Sequence, residues 1–261
     1  MARPKATVKK DYLSVIIPIY RQERTIKRDL RCISKVLSQI RFDYEIIAVV
    51  DGIKEDASFK RAKELNVPKL TIIGYPTNRG KGYAVRFGMA RAKGDYIAFI
   101  DAGMDIDPNG ISMIMEHMQW YEADIIVGSK RHPASKVDYP LSRKIMSRIY
   151  HFLTRILFNV KVRDTQTGLK VFRRQVIERI LPRMLMKDFA FDIEMLSIAR
   201  RLGFSRIYEA PIKLDRERFQ FSSTIKWDTA LKVLWNTAAV FYRLKILHYY
   251  DDSNKRKWKR A

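Results

Sequence analysis

The chain holds a single cysteine, Cys32, among its 261 residues. One thiol cannot close an internal disulfide or build a cysteine-based zinc site, and it fits a reducing compartment. No run of about 18 uncharged apolar residues occurs, so no membrane-spanning helix is expected. The first ten residues are basic and polar with no apolar stretch behind them, which argues against a cleaved secretory signal. Internal repeats, low-complexity segments and recognised nucleic-acid motifs are also lacking. Acidic residues are in short supply, 28 against 51 basic ones, for a formal charge of +23. Such a field favours polyanions, whether nucleic acid, anionic lipid or phosphorylated substrates, although a solvated basic surface would carry the same charge.

What is present is a folded-protein composition, 47% hydrophobic, long enough for one sizeable domain and a short appendage. The first half alternates short apolar runs with amphipathic segments. Strands are expected at Leu13–Ile19, Tyr44–Val50, Leu70–Gly74, Tyr96–Ile100 and Asp124–Gly128. Helices are expected at Glu23–Ile40, Glu55–Leu65, Gly82–Ala92 and Asn109–Tyr121. This order predicts an α/β fold with a mostly parallel sheet covered on both faces, and ligands beyond the carboxyl ends of its strands. The second half predicts helices at Leu141–Phe158, Ile193–Leu202 and Ile225–His248, a strand at Arg206–Glu209, a polar loop at Leu214–Thr224 and a basic tail at Lys255–Arg260.

Three clusters at the expected ligand end carry chemistry. Asp51 closes an apolar strand before Gly52, where a carboxylate can accept hydrogen bonds from a base or ribose, though Asp-Gly is also a common turn. Asn78-Arg79-Gly80-Lys81-Gly82 opens a helix, so backbone and cations can approach an anion there. It lacks the spacing of a P-loop and also reads as a plain helix start. Asp101-Ala102-Gly103-Met104-Asp105-Ile106-Asp107 follows a strand. Clustered carboxylates suit Mg²⁺ or Mn²⁺ bridging phosphates, or a solvated acidic turn capping the next helix. Asp107, before Pro108, reads as the cap; Asp101 and Asp105 read as the metal side.

Ser14-Val15-Ile16-Ile17-Pro18-Ile19-Tyr20 with Glu23 resembles the opening of family-2 glycosyltransferases. Asn78 to Met89, Gly94 to Ala102, Gly128-Ser129-Lys130-Arg131, Asp164 to Lys170 and Phe191-Asp192-Ile193-Glu194 are similar, in order and spacing, to the dolichol- or polyprenyl-phosphate mannosyl/glucosyl synthase branch. The resemblance covers roughly Tyr12 to Thr224. It implies a GT-A (Rossmann-like) fold and an inverting, metal-dependent transfer of mannose or glucose from GDP-mannose or UDP-glucose to polyprenyl or dolichyl phosphate. Pro18, Tyr20, Glu23, Asp51, Lys81 and Asp101 would form the nucleotide pocket, and Asp101 and Asp105 the metal site. Arg131, Arg143 and Ser147 fall where the family binds phosphate; Arg216 or Arg218 falls on the acceptor loop. Two departures stand out: Gly103 replaces the second Asp of the usual Asp-x-Asp, and the C-terminal transmembrane helices of many relatives are missing.

A phosphate acceptor needs no general base. A sugar hydroxyl does, and Asp192 or Glu194 would then be the candidates. A basic nucleic-acid-binding protein is the remote alternative, disfavoured by carboxylates at the ligand end. The expected organisation is a catalytic domain over 1–224 and a membrane-associating amphipathic helix with basic tail over 225–261. The expected location is the cytoplasmic face of a membrane, held peripherally by anionic lipid.

Overall fold

A computed structural model describes residues 11–135, 141–188, 190–214 and 227–258; for 141–149 and 227–230 it describes the backbone alone. The first half forms β1 (Tyr12–Ile19), α1 (Ile26–Leu37), β2 (Asp43–Asp51), α2 (Ser58–Lys63), β3 (Leu70–Tyr75), α3 (Lys81–Met89), β4 (Tyr96–Ile100), α4 (Gly110–Trp120) and β5 (Ile125–Ser129). Then come α5 (Leu141–Phe158), β6 (Leu169–Arg173), α6 (Arg174–Ile180), α7 (Phe191–Arg201), β7 (Ile207–Pro211), α8 (Trp227–Phe241) and the short α9 (Lys255–Trp258).

The strands make one seven-stranded sheet in the order β3-β2-β1-β4-β6-β5-β7. All neighbours are parallel except β6, which runs antiparallel between β4 and β5 with Ala98 and Ile126 both opposite Val171. Alternation along β1 supplies both layers of core. Leu13, Val15, Ile17 and Ile19 pack with Ile26, Leu30, Ile33 and Leu37 of α1, whose apolar spacing gives one buried stripe. Ile16 points the other way, into a cluster built from α3, α6 and α7.

β6 and α6 have no counterpart among the expected elements. β6 reads Leu-Lys-Val-Phe-Arg, and the charge in its second place breaks the pattern of a buried strand. Lys170 is nevertheless fully buried there, because Asp192 and the carbonyl of Thr167 accept its ammonium protons at 2.5 and 2.6 Å.

The C-terminal segment is shorter as a helix than its apolar run suggests. α8 ends at Phe241 and passes into a wider π-helical turn, Tyr242–Ile246. Val240, Leu244 and Tyr250 enter the core beside α7. Trp258, expected in a basic tail, is only 5% exposed. Its indole donates to the carbonyl of Asp251 at 3.2 Å, and the Arg183 guanidinium lies 4.0 Å over the ring. No helix among the described residues is long and apolar enough to cross a membrane.

Candidate active site

The carboxyl ends of β1, β2 and β4 bring together the clusters read from sequence. Asp51, the last residue of β2, is buried and accepts the backbone N–H groups of Arg79 at 2.7 Å and Gly80 at 2.9 Å. It therefore staples the loop entering α3. Gly80 lies at φ +94°, a left-handed conformation that glycine adopts without steric cost. One residue on, Lys81 reaches across to β4, with Nζ 2.6 Å from Asp101 Oδ1 and 2.8 Å from Oδ2. Partial burial strips water from the Lys81 ammonium, but Asp101, Asp192 and Asp105 together outweigh that cost and raise its pKa.

Asp101 is held from behind as well. Its N–H donates to the carbonyl of Gly168 at 3.0 Å, and a Cβ on Gly168 would lie 2.0 Å from the Asp101 carboxylate. Only a residue without a side chain fits at 168. Beneath lies the Lys170–Asp192 pair, whose burial pushes the lysine pKa down and the aspartate pKa up, both toward the neutral forms.

The acidic loop turns back on itself at Met104, whose φ of +59° is left-handed. A Cβ built on Gly103 would stand 4.0 Å from Asp105 Oδ1 and 3.6 Å from Gln22 Nε2, with nothing nearer. The Asp105 carboxylate thus approaches the place where a side chain at 103 would begin. Asp107, expected to cap α4, instead sits two residues before the N-cap position, which Asn109 occupies, and its carboxylate accepts the backbone N–H of Asn109 at 3.0 Å in the turn that leads into the helix. Its own N–H donates to the carbonyl of Lys213, and Ile106 bridges to Leu214, so the loop is anchored to the chain after β7.

The remaining expected site residues are distributed unevenly. Pro18 sits near the end of β1, and the Tyr20 ring is exposed with the Arg21 guanidinium 5.2 Å above it. Glu23 accepts the N–H of Ala57 at 3.0 Å and ties the loop after β1 to the start of α2. Arg131 follows β5, and its charge, after desolvation, helps to lower the pKa of His151 on α5. Arg143 and Ser147 lie on the first turns of α5, with side chains outside the described atoms. Arg216 and Arg218 lie outside the described residues.

Glu194 is not placed as a free base. It is fully buried and accepts the N–H groups of Leu185 and Met186 at 3.0 and 2.9 Å and the hydroxyl of Tyr250 at 2.8 Å. Desolvation pushes its pKa up despite these donors. Sequence reading did not find the cradle at Gly168 or the supporting role of Lys170. Gly168 and Lys170 stood in a recognised motif, but their partners come from distant segments.

A parallel α/β sheet with one antiparallel strand inserted, and a rim of carboxylates and a lysine at its ligand end, defines the GT-A architecture of nucleotide-sugar enzymes. Glucosyl-3-phosphoglycerate synthase from Mycobacterium tuberculosis, solved in complex with Mn²⁺, UDP and phosphoglyceric acid, matches with a TM-score of 0.66. The match covers 89% of this chain and 78% of that one at 17% identity, a likeness of fold. Residues 14–181 match the model of glycosyl transferase family 2, and the chain belongs to that family. The dolichyl-phosphate beta-glucosyltransferase of Drosophila melanogaster is 32% identical over 206 residues, which are 73% of this chain and 63% of that protein. The human protein of the same description is 29% identical over 253 residues, 90% of this chain and 76% of the human one. The chain thus spans less than two thirds of the fly relative.

Proposed function

We propose that the protein transfers a hexose from a sugar nucleotide to polyprenyl or dolichyl phosphate at a membrane surface. The observation that carries this reading is the Lys81–Asp101 ion pair beside the amide-stapled loop at the ends of β2 and β4. There a cation, backbone and carboxylates converge where such sheets bind nucleotides. The names of the relatives favour glucose, and the UDP of the structural neighbour favours UDP-glucose as donor over GDP-mannose.

A divalent cation, Mg²⁺ or Mn²⁺, fits the donor set. Asp101 and Asp105 offer hard carboxylate oxygens on one turned loop, and such ions are commonly held by one or two carboxylates plus substrate phosphates. Bound there, it would offset charge on the departing diphosphate. The protein's own groups do the rest. Lys81 presents an ammonium to the same diphosphate, and the N-terminus of α3 favours the anion. Tyr20 offers an exposed ring for the base. Arg131 and Arg143, with Arg216 and Arg218 in sequence after the anchored Leu214, would gather the acceptor phosphate. Asp192 and Glu194, each already held by internal partners, favour an acceptor that is an anion at the outset.

Membrane contact is assigned to α5 and α8. Tyr150 and Thr237 hydrogen-bond at 3.1 Å, and Phe158 meets Phe241 edge-on, so the two helices lie side by side. Both leave large apolar side chains outside: Phe152 and Ile156 on α5, Leu231 and Trp235 on α8, the last 78% exposed. Apolar residues on a basic protein suit peripheral docking on anionic lipid at a cytoplasmic membrane face.

The test offers labelled UDP-glucose and GDP-mannose with polyprenyl phosphate, polyprenol and free sugars. Label in polyprenyl-phosphate hexose alone supports the reading. Label only in a hydroxyl product overturns it.

A further inference from the structure

We infer that Glu194 is a positioning residue that sets the nucleotide loop through the Leu185–Asp188 strap, and that it handles no substrate proton. The inference rests on the proposed nucleotide site. One end of the strap is fixed by Glu194, which accepts the N–H groups of Leu185 and Met186 and is itself steadied by Tyr250. The other end meets the start of α3. The carbonyl of Lys187 accepts the N–H groups of Gly82 at 2.7 Å and Tyr83 at 3.3 Å.

The seam is tight. A Cβ on Gly80 would lie 2.6 Å from the Lys187 carbonyl oxygen, and one on Gly82 would lie 2.6 Å from Phe191 Cβ. The Asn78–Gly82 loop is therefore clamped between two buried carboxylates, directly by Asp51 and indirectly by Glu194. Lys81, which reaches Asp101, sits between the two clamps. The outer side of the strap joins α8 through Lys232 and Asp188 at 3.1 Å. The same segment that presents Trp235 thus touches the strap.

This arrangement predicts a change in nucleotide binding rather than in proton transfer. Glu194→Gln keeps the side-chain shape and can leave one oxygen on the N–H groups of Leu185 and Met186, with its NH₂ group turned to the Tyr250 hydroxyl. It removes the negative charge that strengthens these bonds, so the strap is held more weakly. Tyr250→Phe removes only the hydroxyl that steadies the carboxylate. Binding of UDP and of GDP with Mn²⁺, transfer kinetics, and amide hydrogen exchange of segments 78–83 and 184–188 are measured on the full chain. Glu194→Gln is expected to speed exchange in both segments and to raise the nucleotide Kd and donor KM by about tenfold, with kcat within about threefold. Tyr250→Phe is expected to do the same more weakly.

Wild-type exchange rates in both segments of Glu194→Gln would overturn the inference. So would a loss of kcat of about 10²-fold or more with the rising, acidic limb of the pH–rate profile removed, the mark of a lost general base. Should wild type bind neither nucleotide, the proposed site fails, while the exchange data still decide the coupling. Should Glu194→Gln not fold, Gly82→Ala presses the seam from the opposite side. It must speed exchange across 184–188, and unchanged exchange there overturns the inference.

Discussion

The Lys81 ammonium and the Asp101 carboxylate are 2.6 Å apart, one at the start of α3 and the other at the end of β4. A cation that is to use Asp101 must share it with Lys81, while a diphosphate offers Lys81 an alternative anion. Binding of metal alone and of metal with nucleotide should therefore respond oppositely to loss of the lysine. In Lys81→Met, Mn²⁺ without nucleotide is expected to bind tighter, by up to about tenfold, or 1.4 kcal/mol. UDP with Mn²⁺ should bind more weakly by a similar factor. Titration of Mn²⁺ by electron paramagnetic resonance, with and without UDP, measures both. Parallel changes in the two affinities would show that Lys81 does not exchange partners.

The glycine at 103 gives a second test of the same loop. No atom lies within 3.5 Å of a Cβ added there, and its backbone is not left-handed. Gly103→Asp should fold with a melting temperature close to wild type. The Cβ that would carry the added carboxylate stands 4.0 Å from Asp105 Oδ1. If Asp105 now performs the work of the missing side chain, Asp105→Asn should cost orders of magnitude in transfer in the wild type and far less in the Gly103→Asp background. A double-mutant cycle on Mn²⁺ affinity and rate reads this coupling directly. Additive effects would mean that Asp105 does not replace position 103.

Much of this architecture was legible because parallel strands buried on both faces have a strong pattern. β4 and α5 fall on their expected bounds, β1 and β3 differ by one residue at one end, and β2 and β5 by one residue at each end. The site clusters were visible because they sit where strands end, and Asp51, Lys81 and Asp101 do converge. β6 was hidden by Lys170, since a charged residue in a strand looks exposed until its partner Asp192 is placed behind it. The strap role of Glu194 was hidden for another reason: its partners are backbone amides, which carry no sequence signature. Trp258 read as a tail residue because its local composition is basic, while its burial depends on the distant Arg183.

Trp235 and Trp258 lie 23 positions apart and should behave in opposite ways. Trp235 is 78% exposed on α8, whereas Trp258 is 5% exposed and covered by Arg183. Trp235→Ser, with Leu231→Ser, should leave the melting temperature almost unchanged and reduce flotation with anionic vesicles. Trp258→Ser should lower the melting temperature, since truncating a buried tryptophan costs about 3–5 kcal/mol. Vesicle binding of the wild type should fall at high salt, because attraction to anionic lipid is screened within about a Debye length of 8–10 Å. Undiminished flotation of the Trp235/Leu231 variant would remove α8 from the membrane contact.

The acceptor's own ionisation should govern the pH dependence of transfer. A phosphate monoester loses its second proton near pH 6. With a polyprenyl phosphate acceptor, the rate should rise as pH increases through about 6 and then level off, because the more ionised acceptor is the better nucleophile. A protein base would produce the same rising limb, so the candidates must be removed without unfolding the site. Asp192→Asn alone leaves the Lys170 ammonium buried without its partner, a loss of about 3–5 kcal/mol that would confuse the result. Lys170→Met combined with Asp192→Asn removes both charges and keeps the volume. This double variant is expected to be slower, since Lys170 also holds the carbonyl of Thr167 behind Asp101, yet to show the same inflection as wild type. Replacing the acceptor with a phosphonate of higher pKa should move the inflection upward in both proteins. An inflection that stays with the enzyme, disappears in the double variant and ignores the acceptor's pKa would make Asp192 the base and restore a hydroxyl acceptor.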